Sequence, residues 1–192
     1  MQSRANRGKT FEMFISYANH QYARKHIAVI EKQYVEMLPI RNASGKVVSC
    51  KIGEKSTVDY LGRYKQYPIA IEAKDTRSGS IRFDAVKEHQ ARFLDEFTNE
   101  VNTIGIVLVS FDLKRFFAIP WCFWSEAYKL RIQKGDKASQ RSVKAFGIEW
   151  TIPRKMSVRA EELRPEWEVE SRSGLDYLKN AEKFINKEKK AL

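Results

Sequence analysis

Three charged side chains carry the strongest chemical signal in this chain: Asp59, Glu72 and Lys74, within TVDYLGRYKQYPIAIEAK at 57–74. Read as a strand, 69–74 (IAIEAK) puts Ile69, Ile71 and Ala73 on one face and Glu72 with Lys74 on the other, because strand side chains alternate. Turn residues across 62–68 let a strand carrying Asp59 fold back beside it. Two carboxylates at close range repel, so one takes a proton unless a cation lies between them. Hard oxygen donors with no Cys or His pair nearby favour Mg²⁺ or Mn²⁺ over zinc. A lysine on the same face then has a use, orienting the attacking water or offsetting charge that grows on a phosphorane-like transition state. This arrangement suits metal-dependent phosphodiester hydrolysis. In a chain that is 31% charged, the same spacing also fits a solvated strand edge.

The elements that must position these groups follow from periodicity. Phe11, Phe14, Ile15, Ala18 and Tyr22 recur at helical spacing and predict an amphipathic helix over 8–25. A β-branched run predicts a strand over 27–34. The stretch 38–51 holds Pro39, Asn42 and the Ser44-Gly45 turn pair, and fits a loop or an extended hairpin. A helix is expected over 84–100 with Asp84 as its N-cap. The most apolar run, IGIVLVSF at 104–111, is expected as the central strand, covered on both faces. A further strand at 116–120, a helix at 121–131 and a basic amphipathic helix near the C-terminus complete an α/β domain with a mixed sheet.

Composition narrows the partners. With 192 residues and 43% hydrophobic content, the chain suits one compact domain over 1–192. No apolar run is long enough to span a membrane, and MQSRANRGK at the start lacks the apolar core of a signal peptide, so cytoplasmic residence is expected. Cys50 and Cys122 have no paired pattern and read as reduced thiols. Thirty-five Lys and Arg against twenty-four Asp and Glu give +11, a balance that suits a polyanion or a merely basic soluble protein. The charge is uneven: 129–155 carries eight basic and two acidic residues.

The run KSTVDYLGRY…IAIEAKDT…HQ resembles the RecU family of Holliday-junction resolvases, members of the PD-(D/E)xK nuclease superfamily. RGKTFE at 7–12, EHQ at 88–90, IGIVLVSF at 104–111 and GLDYL at 174–178 extend the likeness in order along the chain. The resemblance implies a restriction-endonuclease-like mixed β-sheet flanked by helices. It implies a metal site of Asp59, Glu72, Thr57 and Gln90, with Lys74 as the catalytic lysine. It further implies a symmetric homodimer acting on branched DNA, the four-way junction, in recombination and repair. A recombinase or a branch-migration helicase would be a further partner. The family's stalk corresponds to a shorter insertion here, around 39–53, and a basic C-terminal helix is expected over 174–190. A less selective branched-DNA or restriction-type nuclease, and a non-catalytic DNA-binding accessory protein, are the alternative readings.

Other residues have two readings each. In related nucleases an acidic residue on the first helix assists the metal site, the role Glu12 would take; a first-turn charge favoured by the helix dipole is its other reading. Arg4, Arg7 and Lys9 form a basic arm for DNA contact or a disordered end. Lys134, Lys137, Arg141 and Lys144 are candidates for phosphate contact, or a solvated basic face. Arg63 and Lys65 lie in a turn expected near the site, in a hairpin that would face DNA. His89 reads as structural or phosphate-contacting. Trp121, Phe123 and Trp124 read as core, with a stacking platform or a dimer interface as the other readings.

Overall fold

The computed structural model describes residues 4–53, 57–132, 141–153, 155–171, 174–179 and 181–185. A long helix, α1 (Arg4–Arg24), leads into β1 (Ala28–Lys32), then β2 (Met37–Arg41), β3 (Val47–Ile52), β4 (Tyr60–Tyr64) and β5 (Tyr67–Thr76). A short β6 (Ser80–Arg82) and a single 3-10 turn (Phe83–Ala85) precede α2 (Glu88–Asn99). There follow β7 (Ile104–Phe111), β8 (Arg115–Pro120), α3 (Trp121–Ile132), β9 (Ser142–Ala145), β10 (Ile148–Thr151) and β11 (Ser157–Arg159).

Five strands form the central sheet in the order β1-β4-β5-β7-β8. The β5–β7 pair is parallel and the other neighbours are antiparallel, so the sheet is mixed, as expected. Alternation sorts its side chains into two cores. Ile69, Ile71, Ile104, Ile106 and Leu108 meet Phe11, Ile15, Ala18 and Tyr22 of α1. Ala70, Val107 and Val109 meet Ala91 and Leu94 of α2 and Phe123, Trp124 and Ala127 of α3. The central strand is β5 rather than the expected 104–111, which as β7 lies beside it; all eight residues of β7 are nevertheless buried, which is why its sequence shows an unbroken apolar run. The combination of a central mixed sheet with helices on both faces is the restriction-endonuclease-like architecture.

The α2 start differs from the expectation. Asp84 does not cap the helix, because Arg82 grips both of its oxygens at 2.9 Å and Phe83 turns inward against Trp124. The helix begins after Lys87, whose backbone N–H donates to Gln90 Oε1 at 2.9 Å. The C-terminal segment also differs. Among its described residues it forms turns and one 3-10 helix, Ala181–Phe184, rather than a continuous α-helix. The Leu178 backbone N–H donates to the Tyr22 hydroxyl at 3.2 Å, and that hydroxyl donates to Asp176 Oδ1 at 2.9 Å. These bonds to α1 take the place of helical ones.

Helix α2 can press close to β7 because position 105 carries no side chain. A Cβ there would overlap Thr98 Cγ2 on α2 and lie 3.1 Å from Trp121 Cβ. Thr98 has little freedom to move, since its hydroxyl is bonded to the Leu94 carbonyl at 2.7 Å. Gly105→Ala is therefore expected to lower stability by about 1–3 kcal/mol. That is a fall of roughly 2–4 °C in midpoint per kcal/mol, measurable by thermal denaturation followed by circular dichroism.

Candidate active site

The register of the sheet builds the site. Strands β4 and β5 pair with Tyr60 opposite Ile71, so one further step along both chains brings Asp59 opposite Glu72. The loop that ends in Asp59 is held there by main-chain groups. Its carbonyl accepts from Gln33 N at 2.8 Å, and its side-chain Oδ2 accepts from Ala73 N at 2.9 Å. The carboxylate thus occupies a ladder position that a β4 carbonyl would otherwise fill.

Glu72 and Lys74 lie on the α2 face of β5, two residues apart. Glu72 is fully buried and Lys74 is one-fifth exposed, and the lysine ammonium pairs with Glu72 Oε1. That contact is an ion pair by distance; neither Glu72 oxygen receives an aligned hydrogen bond among the described residues. Burial pushes the Glu72 carboxyl up to about 7, Lys74 opposes that rise, and the nearby Asp59 adds to it. Helix α2 closes over this cluster at its first turn: Gln90 Oε1 accepts from Lys74 Nζ at 3.4 Å while also accepting from Lys87 N.

A buried carboxylate with both oxygens short of hydrogen bonds, beside a second carboxylate, is a donor set that fits a hard divalent cation. Among the described residues there is no group of three or more His, Cys, Asp and Glu side chains arranged for a metal. The charged donors are therefore two carboxylates, with neutral oxygens such as those of Gln90 and Thr57 to add to them. Thr57 is exposed on the loop two residues before Asp59. His89 is partly buried in the same first turn of α2 as Gln90.

Other candidates fall elsewhere. Glu12 belongs to α1, which covers the opposite face of the sheet, and its carboxylate pairs with Lys32 at 2.7 Å. Arg63 is four residues along β4 from Asp59, roughly 13 Å at strand rise. Arg63 bonds the Lys65 carbonyl, and Lys65 pairs with Glu182. The turn at 65–66 joins the far ends of β4 and β5, so the expected nearness of Arg63 and Lys65 to the site is corrected by the strand direction. Of the three tyrosines in this hairpin, Tyr60 and Tyr64 are core residues. Lys9 is exposed on α1, and the backbones of Arg4 and Arg7 lie in the same helix. Arg141 is exposed at the start of the β9–β10 hairpin, where Lys144 pairs with Glu149. Lys134 and Lys137 lie outside the described residues.

Sequence reasoning missed two groups that organise the site: the Ala73 amide that anchors Asp59, and the Lys87 amide that fixes Gln90. Backbone groups leave no mark on residue type. The signal for the first was the strand register itself.

The model of the family described as Recombination protein U, RecU, matches residues 6–160, a span that includes Asp59, Glu72, Lys74 and Gln90. The chain belongs to the RecU family. A relative from Streptococcus gordonii, named Holliday junction resolvase RecU, is 32% identical over 140 residues, covering 70% of this chain and 69% of its own. A relative of the same name from Streptococcus mutans is 32% identical over 140 residues, covering 70% of each chain. One from Streptococcus agalactiae is 33% identical over 142 residues, covering 70% of this chain and 69% of its own.

The buried Glu72 gives a pH signature. Its folded-state pKa of about 7 exceeds the ordinary 4.5, so the folded chain holds a proton that the unfolded chain releases. The resulting stability is complete below about pH 4.5 and is lost as pH rises through 7, on the order of 3 kcal/mol in all. In EDTA, Glu72→Gln should therefore raise the thermal midpoint at pH 8 and leave it nearly unchanged at pH 5. Differential scanning calorimetry at the two pH values would show the difference.

Proposed function

We propose that this chain is a divalent-metal-dependent endonuclease that resolves Holliday junctions in recombination and repair, with Mg²⁺ or Mn²⁺ as its metal. The observation that carries the reading is the convergence of Asp59, Glu72 and Lys74 on the α2 face of β4 and β5, inside the span matched to RecU. Asp59 and Glu72 would hold the metal, with Thr57 and Gln90 completing its oxygen shell. The cation supplies Lewis-acid polarisation of the scissile phosphate and an activated water.

The chain's own residues do the rest. The main chain at Ala73 keeps the Asp59 carboxylate oriented toward Glu72. Lys74 offers a fixed ammonium to the negative charge that builds on the non-bridging phosphate oxygens. Burial by β7, α2 and α3 excludes water from the far side of Glu72 and strengthens each electrostatic contact. Glu12 would act on the site from the α1 side of the sheet, through its ion pair with Lys32 on β1 and its charge beside Tyr60.

Support for a DNA partner comes from the +11 charge and the exposed Lys9 and Arg141, to which Arg4, Arg7, Lys134 and Lys137 would add. The whole chain would serve as one nuclease domain, with the exposed β2–β3 hairpin as its short stalk. A four-way junction presents two opposed strands, so a homodimer with two sites fits the substrate's symmetry. A recombinase or branch-migration helicase would deliver the junction. DNA processing of this kind implies cytoplasmic residence.

The test is cleavage of a labelled mobile four-way junction beside linear duplex of the same sequence, each with Mg²⁺ and with EDTA. Paired symmetric nicks on the junction alone, and only with metal, are expected. Equal cutting of both DNAs would retain the nuclease and reject junction selectivity; binding without cutting under any metal would leave an accessory DNA-binding protein. Asp59→Asn and Lys74→Ala should each lower the cleavage rate by about 10²–10³-fold. Junction affinity, measured by gel shift, should stay within about two-fold, since phosphate neutralisation dominates it. Replacing Lys134, Lys137 and Arg141 together by Ala should flatten the slope of log affinity against log salt by about 0.9 for each phosphate that these side chains neutralise in the wild type.

A further inference from the structure

The part of β5 that carries Lys74 runs past the end of β4. Pairing with β4 stops at Tyr60 opposite Ile71, whereas pairing with β7 continues to Thr76 opposite Phe111. Among the described residues, 73–76 therefore pair with a neighbouring strand on one side only, apart from the Asp59 carboxylate at Ala73 N. A catalytic ammonium on such a half-supported segment needs some other restraint to hold its direction.

A restraint lies on the face opposite Lys74. Asp75 and Ser110 are register partners on β5 and β7, and Ser110 Oγ donates to Asp75 Oδ1 at 2.8 Å. The same Oγ accepts from Leu113 N at 3.2 Å, and Asp112 N donates to the Thr76 carbonyl at 2.8 Å. Asp112 and Leu113 both adopt left-handed backbone, with φ of 55° and 56°. The turn after β7 is thereby tied to the last residues of β5. Ser110 is fully buried, the one hydroxyl in an otherwise apolar strand. A buried hydroxyl costs stability unless bonded, and an apolar residue would suit β7 better on burial alone.

We infer that Ser110 and Asp75 are a positioning pair for Lys74: their hydrogen bond fixes the overhanging end of β5 so that the ammonium meets the scissile phosphate at the right place. The pair touches neither metal nor DNA and acts through the strand. Asp75 contributes as the acceptor of the Ser110 hydroxyl, a role that a neutral side-chain oxygen can also fill. The inference rests on the nuclease reading of Lys74. Misplacing a catalytic group by about 1 Å can cost up to 10²-fold in rate, which sets the scale of the effect.

The experiment compares Ser110→Ala, Asp75→Ala and Asp75→Asn with the wild type in the full-length protein. Two readouts are taken: steady-state cleavage of the four-way junction, and hydrogen–deuterium exchange resolved to the 73–76 segment. Ser110→Ala and Asp75→Ala should speed exchange at 73–76 while leaving α1 and β1 unaltered. They should lower kcat by about 10–10²-fold with KM for the junction within two-fold. Asp75→Asn keeps an acceptor oxygen for Ser110 and should restore kcat to within two-fold of the wild type. Unchanged exchange, unchanged kcat, a loss confined to KM, or an Asp75→Asn as impaired as Asp75→Ala would each overturn the pairing role. Should Ser110→Ala fail to fold, the two Asp75 variants, at the partly exposed partner, decide alone. A wild type that does not cut any DNA would sink the nuclease reading by itself, and the exchange data would still decide whether the pair restrains β5.

Discussion

An ionised carboxylate buried without hydrogen bonds costs several kcal/mol, and Glu72 sits in that position on β5, the central strand of the sheet. The features around it compensate for or exploit that cost. Lys74 can reach it only because both project from the same face of one strand. Asp59 stands opposite because β4 pairs with β5 in one register and no other; a one-residue slip would send Tyr60, a core residue, into the site. The aromatic layer of α3 and the first turn of α2 remove solvent from the same face. A cation would relieve the carboxylate repulsion with both acids ionised and without consuming Lys74.

The mixed sheet is what makes this possible. A parallel β5–β7 pair needs a crossover, and the crossover here is the segment from β6 through α2. The same connection that makes the pairing topologically possible carries Gln90 to Lys74. Strand β11 pairs with β6 and so pins that crossover from the C-terminal side. Site and scaffold are therefore one piece of construction, with the charged groups gathered where β4 stops short and β5 goes on.

How much of this could be read beforehand depended on whether a feature is written in residue type. The helix of α1, the buried run of β7 and the shared face of Glu72 and Lys74 follow from apolar periods, and those appear plainly in the sequence. The start of α2 did not, because Asp84 has the side chain of a cap but was already engaged by Arg82, a pairing two residues apart that competes with the backbone. The C-terminal segment has a helical pattern that Tyr22 and Asn19 override from more than 150 residues away. The β9–β10 hairpin turns on Phe146 and Gly147, both with positive φ, and an aromatic residue gives little warning of that. Of the site, the acids and the lysine were legible; the amides of Ala73 and Lys87 that orient them were not.

The contacts between α1 and residues 175–178 have a consequence for how the chain is made. Tyr22 and Asn19 leave the ribosome more than 150 residues ahead of their partners Asp176, Tyr177 and Leu178. The apolar face of α1 can be covered by Ile69, Ile71 and Leu108 during synthesis, but its polar side stays open until residues 176–178 have emerged. Loop closure over such a separation is slow and raises contact order. Synthesis therefore passes through a nascent stage in which the sheet and its carboxylates are assembled while one layer is still unsealed. A ribosome that stalls or terminates early would release a chain with its nuclease motif intact and its first helix loosely held, a substrate for proteases rather than a working enzyme.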